Sequence, residues 1–357
     1  MSDLFDRHDV LLTDLDGTLY RGPAAVPGAV EALHYARQRG VRTMYVTNNA
    51  SRRPGDVAHH LAELGFPATA DDVVTSAQAG ATLLAQQLPP GAAVLVVGTD
   101  ALAGEVARVG LTVTDRADEA VAVVQGHSPT TGWPVLAEAT VALRAGAVWV
   151  ACNVDPTLPT ERGPLPGNGA MVAAVRIASG REPQVAGKPA PALMRDAVRR
   201  TGARAAVMVG DRLDTDIEGG RAAGVATLLV LTGSSHAAEL LAAPPAQRPD
   251  YVGADLGALR SPAGALAPGP RPGWSVRGGP QGWTLRSDDT NGDADPVDAL
   301  RALCDRHWAE GGGPARVSAD GDAAARALRE LGLGVPGPEA PASATVAGAD
   351  PGPGAHP

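Results

Sequence analysis

Short apolar runs recur along the chain, and each breaks off at a cluster of small or polar residues. The first spans 10–12 and is followed by Asp14, Asp16 and Gly17. Others lie at 41–46, 93–97, 121–124, 147–151, 205–209 and 227–231. Runs of this length, bounded by turn residues, read as buried strands of parallel sheets. Helical stretches are expected at 27–39, 54–64, 99–108 and 133–145, with Gly40 and Gly65 closing the first two. The alternation predicts an α/β fold, a doubly wound Rossmann-like parallel sheet. Residues 78–184 carry a βαβ rhythm of their own and read as an α/β cap inserted into a core formed by 1–77 and 185–260. Asp71 and Asp72 read as capping acids ahead of a further helix.

The pattern changes after residue 260. Residues 261–273 are rich in Pro, Gly and Ala and read as a linker. Residues 274–276 and 283–285 suggest two short strands around a Gly-rich turn. Asp295-Pro296 opens a helix whose apolar side carries Val297, Leu300, Leu303, Cys304, His307 and Trp308. A second helix is expected at 321–331. Residues 274–334 thus read as a small α+β domain, and 335–357 as a disordered tail.

Composition narrows the class. Of 357 residues, 44% are hydrophobic but only 3% aromatic, so Ala, Val and Leu must build the core. A net charge of −9 without a basic stripe speaks against nucleic-acid binding. No apolar run approaches the roughly 18 residues of a membrane span, and no signal peptide is visible. Two distant cysteines, Cys152 and Cys304, fit a reducing cytoplasm.

The chemistry gathers at expected strand ends. Period-2 alternation puts Asp14 and Asp16 on one face of a strand tip. Two carboxylates there repel unless a cation lies between them, and Mg²⁺ prefers such hard oxygen ligands. At the next strand end, Thr47, Asn48 and Asn49 offer a hydroxyl and amides suited to phosphate oxygens. Lys188 is held between Gly187 and Pro189 just before a helix. Asp211, Asp214 and Asp216 form a third acidic strand tip.

Asp14-Leu15-Asp16-Gly17-Thr18, Thr47-Asn48-Asn49-Ala50-Ser51-Arg52, Gly187-Lys188-Pro189 and Gly210-Asp211 through Asp216 resemble, in order, the four motifs of the haloacid dehalogenase superfamily. The likeness covers about residues 8–255 and is closest to phosphatases with a large cap inserted after the second motif. It implies Asp14 as nucleophile, Asp16 as general acid/base, and Thr47, Asn48, Asn49 and Lys188 as the phosphate site. It implies Mg²⁺ on Asp14, Asp211 and the backbone carbonyl of Asp16, with Asp216 supporting it and Asp214 solvated or capping.

The Pro- and Gly-dense stretch 153–170 resembles the substrate-specificity loop of those caps, which gives Asp155, Thr157, Leu158 and Arg162 as substrate contacts. It lacks an aromatic ring or histidine between Thr157 and Arg162 to stack on a pyridine, which disfavours pyridoxal phosphate. A small polyol phosphate fits better, with phosphoglycolate and aryl phosphates as alternatives. His127, at another strand end, reads as a surface histidine, and Cys152 as a packed thiol.

A capped phosphatase followed by a small domain also resembles the actinobacterial glycerol 3-phosphate phosphatases, whose extra domain looks like a reduced N-acetyltransferase fold. Residues 277–282 only loosely resemble a pyrophosphate-binding loop, and Pro280 lacks an N–H that such a loop needs, so acetyl-coenzyme A binding is not expected. The expected partner is a small phosphate ester, with room for self-association through the cap. The rival class is a metabolite-sensing module on a vestigial phosphatase core.

Overall fold

The computed structural model describes residues 2–160, 162–279, 281–289 and 294–333. The expected disorder of 335–357, and Pro280 of the Gly-rich turn, lie outside the described residues.

Six parallel strands form the central sheet, in the order Tyr251–Gly253, Ala226–Val230, Ala206–Gly210, Val10–Thr13, Arg42–Thr47 and Val73–Thr75. Val10–Thr13 sits between Arg42–Thr47, the next strand of this sheet in sequence, and Ala206–Gly210, which arrives almost 200 residues later. The connections run opposite ways from it, so a crevice opens at its carboxyl end. Its alternation feeds both faces. Leu11 packs with Tyr45, Val207 and Val209 on one side, while Val10 and Leu12 pack with Met44 and Met208 on the other. Leu11 and Leu12 are fully buried, each contributing about 1.5–3 kcal/mol of transfer free energy.

A second parallel sheet has the order Gln184–Val185, Val148–Ala151, Ala122–Gln125, Ala93–Val97 and Thr112–Thr114. One face joins the same apolar cluster as the central sheet, through Val94, Val124, Val150 and Cys152. Helix Ser76–Ala85 also contributes Ala77, Ala81 and Leu84 to it. The other face is covered by helices Trp133–Arg144 and Asn168–Ser179.

Sequence pattern misses several short elements. Val73–Thr75 is a strand, and Thr75, not Asp71 or Asp72, caps the following helix by accepting from the Gln78 amide. Asp72 instead accepts from Thr69. Thr112–Thr114 and Val317–Asp320 add edge strands, and Gln184–Val185 belongs to the cap sheet. Elements of two to four residues carry too little periodicity to register.

The C-terminal sheet runs Trp274–Gly279, Gly282–Ser287 and Val317–Asp320, backed by helices Pro296–Ala309 and Asp322–Glu330. It packs on the central sheet: Trp283, Leu300 and Leu303 share a cluster with Ile217, Leu229 and Val252. Buried Arg301 donates from Nε and Nη2 to the Val252 carbonyl at 3.0 and 2.6 Å. The stretch expected as a linker is packed as well. Its short helix Ala263–Leu266 buries Ala263 and Leu266 against the core, because small apolar residues bury as readily as they loop.

Candidate active site

Asp14 follows the central strand directly, and its amide donates to the Val209 carbonyl at 2.9 Å. Its side chain keeps 13% exposure, enough to be reached from the cleft. The strand ends at Thr13, so strand alternation does not place these two acids, yet Asp14 and Asp16 line the same cleft. Gly17, at φ +85°, turns the chain there, and its amide bonds the Tyr20 carbonyl at 2.8 Å. A side chain at Gly17 would place its Cβ 2.5 Å from Asp211 Oδ2, so only glycine allows both the turn and the approach. Asp14 is therefore drawn into the floor while Asp16 stands exposed in the cleft.

Lys188 is the hub of the floor. It is 3% exposed, and its Nζ contacts Asp14 Oδ1, Asp216 Oδ1 at 2.7 Å and the Val46 carbonyl at 3.3 Å. Burial alone would lower the ammonium, but Asp14 and Asp216 outweigh it and hold it above its ordinary value. Asp216 Oδ2 accepts from the Arg212 amide at 3.1 Å, so both its oxygens are engaged. Asp211 Oδ1 accepts from Thr18 at 3.2 Å and Oδ2 from the Ser234 amide at 2.6 Å. Asp214 is exposed and paired with Arg212 at 2.8 Å.

Carboxylate oxygens of Asp14, Asp211 and Asp216 lie within 4.8 Å of one another. Burial pushes all three carboxyls up, with Asp216 reaching about 6 under the added repulsion of Asp14. One ammonium among three acids leaves excess negative charge, which is the donor set a hard divalent cation fits. The carboxylate of Asp16 is outside this cluster. Partial desolvation at the cleft pushes it up too.

Thr47 ends its strand at the cleft, and its Oγ1 accepts from the Asn49 amide at 3.1 Å. Asn48 lines the cleft too, but its side chain is occupied. Oδ1 accepts from the Lys188 amide at 2.8 Å, while Nδ2 donates to the Lys188 carbonyl at 3.1 Å and to Asp155 Oδ2 at 3.2 Å. It positions Lys188 and ties the cap loop to the core. Asn49 Oδ1 accepts from the amides of Ser51 and Arg52, closing the turn.

The cleft above this floor has a volume of about 470 Å³. Asp155, Thr157 and Leu158 line it, but Arg162 does not. The loop folds into a hairpin, Thr157–Thr160 with Gly163–Pro166, and Arg162 sits exposed in its turn, carried away from the floor. Residues that sequence reasoning passed over also line it: Tyr20, His60, Asn153, Arg212, Ser234 and, against its reading as a surface residue, His127. Tyr20 and His60 form an edge-to-face pair with centroids 5.3 Å apart. Their only sequence signal was proximity to the motifs or to a strand end. Cys152 is fully buried, with its thiol pushed up to about 12 by burial, as a packing residue would be.

Acids and an ammonium converging at the switch point of a doubly wound sheet define a phosphoryl-transfer centre of haloacid dehalogenase type, and comparison with known families agrees. The profile for haloacid dehalogenase-like hydrolases matches residues 11–112, and a second HAD-hydrolase-like profile matches 185–259. The chain belongs to this family, as one of its phosphatases.

Particular relatives are nearer still. The chain is 52% identical over 346 residues to the D-glycerol 3-phosphate phosphatase of Mycobacterium tuberculosis, covering 93% of this chain and 96% of that protein. The crystal structure of the glycerol phosphate phosphatase from that organism, in complex with magnesium, superposes with a TM-score of 0.88 at 53% identity, covering 93% of this chain and 99% of that one. An acid sugar phosphatase of Staphylococcus saprophyticus is 38% identical over 232 residues, covering 64% of this chain and 88% of that protein. A GCN5-related N-acetyltransferase-like profile matches residues 271–333.

Proposed function

We propose that this chain is a Mg²⁺-dependent phosphomonoester hydrolase that releases glycerol and phosphate from glycerol 3-phosphate. The observation that carries the reading is Lys188 Nζ lodged between Asp14 and Asp216, with Asp211 inside the same carboxylate cluster. Asp14 attacks phosphorus in line and forms an aspartyl-phosphate, breaking the bond to the glycerol oxygen. Asp16, exposed beside it, gives its proton to the departing oxygen. It then takes one from the water that hydrolyses the aspartyl-phosphate, which restores both groups. Lys188 and Thr47 hold the equatorial phosphoryl oxygens as charge shifts onto them.

Magnesium would be held by Asp14, Asp211 and the backbone carbonyl of Asp16, with Asp216 supporting them, and would supply positive charge between nucleophile and phosphate. Asn48 holds Lys188 and Asp155 in register, and Asp155, Thr157 and Leu158 form the cap side of the site.

The substrate rests on the relative that spans nearly the whole chain and on a cleft wall of hydroxyl, amide and imidazole groups. A panel of glycerol 3-phosphate, phosphoglycolate, 4-nitrophenyl phosphate and pyridoxal phosphate, compared by kcat/KM with Mg²⁺, tests it. The highest value is expected for glycerol 3-phosphate, and equal or lower values there would remove the specific claim.

Free, buried Cys152 and Cys304 support a reducing, cytoplasmic setting. Among the described residues, no helix is long and apolar enough to cross a membrane. Exposed Trp133, Val141 and Ile177 on the outer cap helices support self-association through the cap.

A further inference from the structure

The C-terminal domain takes no part in the steps above, yet it reaches the carboxylate floor along two routes. The first is apolar. Asp216 lies on a single π-helical turn, Leu213–Ile217, and such turns recur at functional sites. Its Leu213 and Ile217 are buried in the cluster that also holds Trp283, Leu300 and Leu303 of the C-terminal domain.

The second route is polar and starts from the loop 232–235, which clasps Asp211. The Ser234 amide donates to Asp211 Oδ2 at 2.6 Å, and the Ser235 amide to the Asp211 carbonyl at 3.0 Å. Buried Ser235 also accepts at Oγ from the Leu213 amide at 3.1 Å. A Cβ on Gly233 would fall within the Asp211 carboxylate, and Thr232 Oγ1 donates to the Gly17 carbonyl at 2.8 Å. The loop runs into helix Ala237–Ala242, whose Ala237, Leu240 and Leu241 are buried in the same cluster. The far end of this helix is pinned by the C-terminal domain. Trp308 Nε1 donates to the Leu241 carbonyl at 3.2 Å. Arg248, whose guanidinium lies 5.3 Å over the Trp308 ring, donates from Nε to the Ala243 carbonyl at 3.1 Å and from Nη2 to the Gly311 carbonyl at 2.8 Å.

We propose that the C-terminal domain is a buttress for the metal-binding side of the floor, with Trp308 and Arg248 as positioning residues that hold helix Ala237–Ala242, and through it Ser235, so that Asp211 and Asp216 keep their places around a divalent cation. This deepens the phosphatase reading and rests on it. Like-charged carboxylates relax apart when their supports loosen, and binding must then draw them back together. Neither Trp308 nor Arg248 lines the cleft, so their loss should weaken cation binding and leave substrate contacts alone.

The test titrates Mg²⁺ into the metal-free, full-length protein by calorimetry, without substrate, and measures KM for glycerol 3-phosphate at saturating Mg²⁺ beside it. The Mg²⁺ dissociation constant should rise about tenfold in S235A. In W308F and R248M, one step further out, it should rise about threefold or more. KM at saturating Mg²⁺ should stay within about twofold in all three. W308F keeps an aromatic ring in place, and R248M keeps the apolar stem of the arginine, so the clasp is tested from both sides. Either suffices should the other fail to fold, and S235A tests the loop independently. A domain that only adds stability lowers Tm in W308F and R248M and leaves their Mg²⁺ dissociation constants unchanged. That result, or an unchanged constant in S235A, overturns this inference alone. A wild type that binds no Mg²⁺ overturns the phosphatase reading and the inference with it.

Discussion

The floor of the cleft and its cap wall treat buried polar atoms in opposite ways. On the floor, Lys188, Asp211 and Asp216 are each matched: ammonium to carboxylate, carboxylate to hydroxyl or backbone amide. Inside the cap, Gln125, His127 and Asn168 hold buried atoms with no partner among the described residues. The floor is assembled before any substrate arrives, as electrostatic stabilisation of phosphoryl transfer requires.

The largest effect should come from D14N on the floor. Phosphate release should fall by at least ~10⁴-fold with the fold intact by circular dichroism. Retained turnover would break the covalent route. Next comes K188M, which leaves Asp14 and Asp216 facing each other unneutralised. Removing one partner of a buried ion pair costs about 3–5 kcal/mol, and urea unfolding without metal should show it. Added Mg²⁺ should recover part of that loss if the carboxylates share a cation site; no recovery would argue against one.

G17A should follow, since its Cβ would enter Asp211 and its φ is positive. Strain of about 1–3 kcal/mol is expected there, read as weaker Mg²⁺ activation with an unchanged substrate preference. A changed preference instead would blur the division between floor and wall.

The smallest effect lies far from both. His8 is buried, with its ring nitrogens on the Ala205 carbonyl and the Tyr251 hydroxyl, and burial lowers its pKa. The folded state therefore favours neutral His8, whereas the unfolded chain takes up a proton near the ordinary value of 6.5. Its stabilising contribution is present above that value and is lost as pH falls through it toward the lowered folded value. Tm should drop more between pH 7.5 and 5.5 in wild type than in H8Q, while activity relative to folded protein stays equal.

The floor was legible because its chemistry sits in contiguous strings. Asp14, Lys188 and Asp211 each follow or flank a strand, and a strand tip is a place sequence pattern can locate. The wall was less so. Arg162 looked like a contact because it shares a loop with Thr157, but hairpin pairing of 157–160 with 163–166 turned it outward. His127 looked superficial because nothing near it in sequence explained it; the Ser51 contact that seats it spans 76 residues. Asn48 read as part of the phosphate site through backbone or side chain; its side-chain amide is spent on Lys188 and Asp155, 140 and 107 residues away, which leaves the backbone.

Alternating apolar runs and turn glycines determined by themselves that this chain makes a parallel α/β core with an inserted second sheet, because burial on both faces of a strand leaves a local signature. Motif order likewise pointed to the family, and the relatives bear that out. Only the tertiary structure decided that Asp16 stands apart from the carboxylate cluster, that the stretch 261–273 is packed, and which cap residues line the cleft. Those outcomes depend on contacts between distant segments, where packing and hydrogen-bond matching, rather than local preference, set the direction of each side chain.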